Sequence, residues 1–280
     1  MGQMFQSKDG NPVKTISKKG SLSGIGLHSG EKSSITFSPS DSGEINFIFK
    51  NKRIRACVEN VTNTTRGTSL GDLQTIEHIL AAADGLGINS LEIGLSAKEL
   101  PNMDGSALPF VAALIACKPK ALKQNKEPII VKERIFLEDQ NASIEILPYE
   151  GFCIDFETCF VGLGKQNFTF NESTNFITEI APARTFGYKE EVEELKKHGL
   201  AKGASLENSL VLNKKKGYVN VARFEEEPVR HKILDLIGDL SLIGRPIKAK
   251  IIAKKSGHKL NIEMAKKIAA GFYDKIVLKS

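Results

Sequence analysis

The sequence predicts an α+β fold of two domains, each a small sheet packed with helices. Three observations carry this. Both halves of the chain mix period-two strand patterns with period-3.6 helix patterns. A polar, basic stretch bounded by prolines, CKPKALKQNKEP, lies between them as a linker at 118–127. And 280 residues with 41% hydrophobic content can fill two cores of ordinary size. The expected domains are 14–120 and 127–275, with no sequence repeat visible between them.

In chain order, KTISKKGSLSGIGLHSG alternates and then turns through glycines, and KSSITFSPSDSGEINFIFK reads as two strands around a Ser/Pro/Asp/Gly turn. A helix is expected from Leu73 to Asp84, because Ile76, Ile79, Leu80 and Ala83 recur at helical spacing and Gly85 follows. SLEIGLS is a strand. DGSALPFVAALIAC is a turn entering a second helix, with Pro109 near its start, where proline is tolerated. Beyond the linker, PIIVKERIFLE, ASIEILPY, GFCIDFETCF and KQNFTFN read as strands, and helices are expected at about 188–198, 205–209, 227–243 and 261–272.

Composition excludes several classes. No apolar run approaches the roughly 20 residues of a membrane span, and the first residues, MGQMFQSKDGNPVK, lack the apolar core of a secretory signal, so a cytoplasmic location is expected. Cys57, Cys117, Cys153 and Cys159 have no CxxC spacing, which points to neither disulfides nor a thiolate metal site. The absence of Trp and the presence of only four Tyr argue against a nucleic-acid platform, while a net charge of +6 suits a small anionic substrate.

Five histidines concentrate the functional signal: His28, His78, His198, His231 and His258. His198 sits in the last helical turn before Gly199, where a cation complements the helix dipole. His231, Asp235 and Asp239 follow one another at spacings of four, so they share one stripe of a helix. That helix is apolar over most of its circumference, and polar groups on a buried stripe are costly unless paired or metal-bound. His231, Asp235 and one further His would meet the three-ligand count of a catalytic zinc site. Two His and one Asp also suit iron(II) or cobalt(II). In the dipeptide Glu77-His78 the side chains point about 100° apart, so one can bind metal while the other moves a proton. His258 is expected on a loop before a helix from Asn261, as a general acid whose pKa a carboxylate such as Asp239 raises. His28, in GIGLHSG, sits in a glycine-rich turn that matches no known phosphate-loop pattern.

Seven segments in order, SGIGLHSG, TIEHILAAADGLGINSLEI, ELPNMDGSALPF, EIAPARTFGY, GLAKGASLEN, VRHKILDLIGDLSLIG and KSGHKLN, closely resemble the zinc-dependent UDP-3-O-acyl-N-acetylglucosamine deacetylases of lipid A synthesis. The resemblance runs from about residue 15 to 272. It implies one Zn2+ held by His78, His231 and Asp235, with Glu77 as the base acting on water at the zinc. It also implies His258 as acid, oriented by Asp239, and Thr185 at the oxyanion. Phe186, Lys232 and His28 would contact a UDP-sugar carrying an acyl chain. The family's two α+β domains face each other across the active site, each with an insert. The second insert forms an acyl tunnel, here at about 186–206 with Tyr188, Val192, Leu195, Leu200 and Leu206 as apolar candidates. A monomer acting alone, without nucleic acid or a membrane span, is expected.

Overall fold

The computed structural model describes residues 11–277; the N-terminal stretch read above for targeting signals lies mostly outside them. Two mixed sheets form the frame. The first runs in the order Gly20–Ile25, Lys32–Pro39, Leu91–Leu95, Ile45–Phe49, Lys52–Arg55. The second runs Ile135–Asp139, Ala142–Leu147, Ile247–Lys254, Phe152–Phe160, Gly164–Phe170. Neighbours in each are antiparallel, antiparallel, parallel and antiparallel, in the same sequential order. The halves are therefore a structural repeat that the residues themselves do not display, because a shared topology needs only matching polarity patterns and not matching side chains.

Among the described residues five α-helices complete the fold: α1 (Glu77–Gly85), α2 (Leu108–Ala116), α3 (Val192–Lys197), α4 (Glu227–Ser241) and α5 (His258–Val277). α1 and α4 occupy equivalent places in the two halves, each before the strand that enters the sheet centre, and they pack directly against each other. Their apolar faces meet in one continuous buried cluster containing Ile79, Leu80, Leu234 and Ile237 together with residues of both sheets. No helix among the described residues is long and apolar enough to cross a membrane.

Several expected boundaries move. The stretch expected to be a linker is the strand Pro119–Asn125, paired antiparallel with Pro12–Ile16. Its proline occupies the first position of the strand, where the missing N–H costs no ladder bond. α1 begins at Glu77 because residues 70–74 make bridge contacts instead and Thr75 adopts a left-handed backbone, φ 60°, from which a β-branched residue cannot continue a helix. Nor does Gly85 end it. The left-handed position is Gly87, whose N–H donates to the Asp84 carbonyl, whereas a Cβ on Gly85 would lie 2.3 Å from the Phe176 ring. Residues 205–209 form no helix. The Asn208 side chain accepts from Ser205 N–H, the kind of local bond that competes with helical pairing.

The α1–α4 crossing is set by Gly238. A Cβ there would stand 2.2 Å from the Glu77 carbonyl oxygen, so the two backbones touch at that point. Gly238→Ala should therefore destabilise the protein by about 1–3 kcal/mol in urea unfolding, the usual cost of overpacking. This runs against the gain of roughly 1 kcal/mol that Ala brings to a helix free of such contact. A second expectation concerns Asp84, near the end of α1. Burial pushes its carboxyl from 3.8 up to about 7, against the pull of Lys126. The folded state thus keeps a proton that the unfolded chain loses, and the stability this group confers is full in acid and lost as pH rises through 7. Asp84→Asn should match the parent's melting temperature near pH 4 and exceed it at pH 8; a gap that does not change with pH would refute this.

Candidate metal centre

Two helices and one helix start bring the predicted residues together. The first residues of α1 supply Glu77 and His78, one face along α4 supplies His231, Asp235 and Asp239, and His258 opens α5. All six lie within the protein, five of them buried and His258 nearly so. His258 was expected on a loop, yet α5 starts three residues early. Asn261 N–H donates to the Gly257 carbonyl and the Ser256 hydroxyl bonds the Asn261 side chain, closing the first turn around it.

The ligand atoms of His78, His231 and Asp235 all lie within 4.8 Å of one another. The Nδ1 of His231 is 3.0 Å from the Ala183 carbonyl, which can only accept, so Nδ1 carries a hydrogen and Nε2 is the nitrogen presented to the site. That Nε2 lies 3.3 Å from Asp235 Oδ1, and His78 Nε2 lies 3.8 Å from the same oxygen. Asp235 Oδ1 is buried without a hydrogen-bond donor. Two imidazoles and a carboxylate with their ligand atoms facing one point form a donor set suited to zinc. Burial and the neighbouring His231 push His78 down to about 3, so it stays neutral. Burial would raise Asp235, but His231, His258 and Lys232 outweigh it and hold the carboxyl below its ordinary range.

A second group of atoms stands beside this triad. Burial lifts Glu77 to about 7, opposed chiefly by His258, and its Oε2 accepts from Thr68 N–H at 2.9 Å. Burial would lower His258, yet Asp239 and Asp235 overcome it and carry the imidazole up to about 10. The Nδ1 of His258 is 2.9 Å from Asp239 Oδ2, which also accepts from Asn261 Nδ2, while Thr68 Oγ1 donates to Asp239 Oδ1. Asp239 is thus ringed by donors and fixes the His258 ring, whose Nε2 lies 3.9 Å from Asp235 Oδ2.

Glu77, His78, His231, Asp235 and His258 line a cavity of about 650 Å³ that also exposes Thr185, Phe186 and Lys232, while Asp239, Thr68 and Asn261 stand behind its wall. Phe186 stands edge-on to His231 and to Phe160. Tyr188 reaches the wall, whereas Val192, Leu195, Leu200 and Leu206 are not part of it. His28 is not part of it either. Its ring meets the Arg66 carbonyl at 3.2 Å and Ala201 N–H at 3.4 Å, and the adjacent Leu27 faces the cavity in its stead. His198 is exposed at the end of α3 with Nδ1 2.9 Å from the Glu194 carbonyl, the dipole-capping role expected of it. Cys57, Cys117 and Cys153 are buried, and Cys159 is exposed at the cavity wall. Sequence reading missed Thr68, the Ala183 carbonyl and Asn261. Only Asn261, three residues after His258 on one helix face, had a readable signal.

An α+β frame holding a His-His-Asp triad beside a buried carboxylate and an imidazolium has the groups that metal-dependent hydrolysis requires. The chain matches, over residues 13–270, the family described as LpxC, UDP-3-O-acyl N-acetylglycosamine deacetylase, and it belongs to that family. Proteins named UDP-3-O-acyl-N-acetylglucosamine deacetylase are similar along nearly their full length. That of Aquifex aeolicus is 40% identical over 91% of this chain and 92% of its own. That of Synechocystis is 36% identical over 91% and 98%, and that of Leptospira biflexa 38% over 90% and 88%.

Thr68 tests the second group of atoms. Thr68→Val keeps the shape and the backbone donor to Glu77 but removes the hydroxyl from Asp239. Leaving that buried oxygen short of a donor should cost about 1–3 kcal/mol in urea unfolding, and an unchanged midpoint would show that water replaces the hydroxyl.

Proposed function

We propose that this protein hydrolyses the N-acetyl group of a UDP-3-O-(3-hydroxyacyl)-N-acetylglucosamine, releasing acetate and the free amine, the committed step of lipid A synthesis. The observation that carries the reading is Asp235 Oδ1, buried without a donor and facing two imidazole nitrogens beside Glu77 and His258. Family membership and the names of the relatives supply the substrate. One zinc ion per chain, held by His78, His231 and Asp235, would polarise the amide carbonyl and lower the pKa of water toward about 7.

The remaining roles fall to the chain's own groups. Glu77 takes the proton of the attacking water; a carboxyl lifted to about 7 is a base matched to neutral pH. His258, held as imidazolium by Asp239, steadies the developing negative charge and gives its proton to the departing amine. Thr185 contacts the oxyanion, Phe186 covers the sugar and Lys232 meets the anionic nucleotide. His28 acts on substrate through the Arg66 segment that its ring holds at the cavity wall. Tyr188 and Phe160 begin the acyl path. In this reading the halves 14–120 and 127–275 are two domains with the site between them, and the enzyme works as a monomer in the cytoplasm.

Acetate release from the purified nucleotide substrate, abolished by a chelator and restored by about one equivalent of zinc, tests the reading directly. Stoichiometric zinc without turnover would overturn the substrate assignment. Asp235→Ala should lose both metal and activity. Glu77→Ala should keep its metal and lose about 10²–10⁴ in rate, the usual contribution of a general base; equal metal loss in both variants would undo this division of roles.

A further inference from the structure

Residues 183–185 carry two groups that the site depends on, and a buried ion pair behind them has no part in the chemistry above. The Ala183 carbonyl accepts from His231 Nδ1, and Thr185 reaches the cavity. Between them the Arg184 side chain turns inward to Glu227, the first residue of α4. The Glu227 carboxylate accepts from Arg184 Nε at 2.8 Å, Arg184 Nη2 at 3.0 Å and the Arg184 backbone N–H at 2.9 Å. A fourth donor is the Arg223 backbone N–H at 2.6 Å. Arg184 Nη2 also donates to the Val221 carbonyl at 2.7 Å. Glu227 is fully buried, so its carboxylate is bound by protein donors on every side.

Glu227 lies four residues before His231, one helical turn away on the same face of α4. The segment that orients His231 is therefore bolted to the helix that carries His231. Desolvation makes a buried ion pair weak evidence for stability, because a well-packed apolar pair often serves as well. A bidentate guanidinium–carboxylate pair does fix geometry closely.

From this geometry we infer that Arg184 and Glu227 are positioning residues for the metal ligand His231, holding the Ala183 carbonyl against its Nδ1 and Thr185 against the cavity. The inference rests on the metal reading of the site. Removing the charge at Glu227 frees the 183–185 segment, lets the His231 ring tilt or change tautomer, and weakens metal binding without altering any ligand.

The test is zinc affinity by competition with a chromogenic chelator, together with the visible spectrum of the cobalt-loaded protein, for the parent, Glu227→Gln and Arg184→Lys. Both variants should bind zinc about ten- to a hundred-fold more weakly, the usual loss when a group orienting a ligand is removed. Their cobalt bands should shift, and kcat should fall while KM for the nucleotide substrate holds. Folded variants with parental zinc affinity and cobalt spectrum would overturn the proposal, whatever their melting temperatures. If Glu227→Gln does not fold, the double variant Arg184→Gln/Glu227→Gln, which strands no charge, is read in the same way. A parent chain that binds no zinc sinks the metal reading, and this role with it.

Discussion

Everything at the site depends on how closely α1 and α4 approach. Without a side chain at Gly238, the Glu77 carbonyl rests on the α4 backbone, and the two helices cross in direct contact. The start of α1 is thereby held against the middle of α4, with His78 and His231 ring to ring at 5.0 Å. The three candidate donors come from both helices, His78 from α1 and His231 with Asp235 from α4. Hydrophobic burial drives the crossing, through Ile79 and Leu80 on one side and Leu234 and Ile237 on the other. The polar residues occupy the end of this seam where the apolar contact gives out and the cavity opens.

Within that frame the carboxylates are differentiated by their neighbours. Asp239 is surrounded by Thr68, Asn261 and His258 and serves as an acceptor that fixes the His258 ring. Asp235, one turn away on the same helix, has an oxygen with no donor at all, which leaves it free for a cation. Glu77 accepts from the Thr68 backbone, and burial raises its pKa to about 7, so it stands ready to take a proton. Three acids of similar intrinsic strength do three kinds of work because each sees a different number of donors.

Much of this was legible beforehand where the signal was local. The His231, Asp235 and Asp239 stripe could be read from spacing alone, because an apolar helix makes any polar residue conspicuous. Glu77-His78 stood out as a charged pair inside an apolar run. What escaped was non-local. Thr68 meets Asp239 across 171 positions of chain, and nothing in an isolated threonine announces such a partner. The Ala183 group that orients His231 is a backbone carbonyl, which every residue possesses. Pro119–Asn125 looked like a linker because its composition is polar, and only the pairing partner at Pro12–Ile16 makes it a strand. The repeated sheet topology also stayed hidden, since pleat alternation survives wholesale change of side chains.

That repeat has a consequence for coordination number. α1 and α4 hold equivalent places in the two halves, and if those halves were identical copies every group on one helix would reappear on the other. A strictly symmetric seam can offer ligands only in pairs. Because the two halves are joined in one chain and carry different residues, one helix contributes a single histidine and the other a histidine and an aspartate. The result is an odd set of three candidate donors, the number that would leave a tetrahedral ion one position open for chemistry.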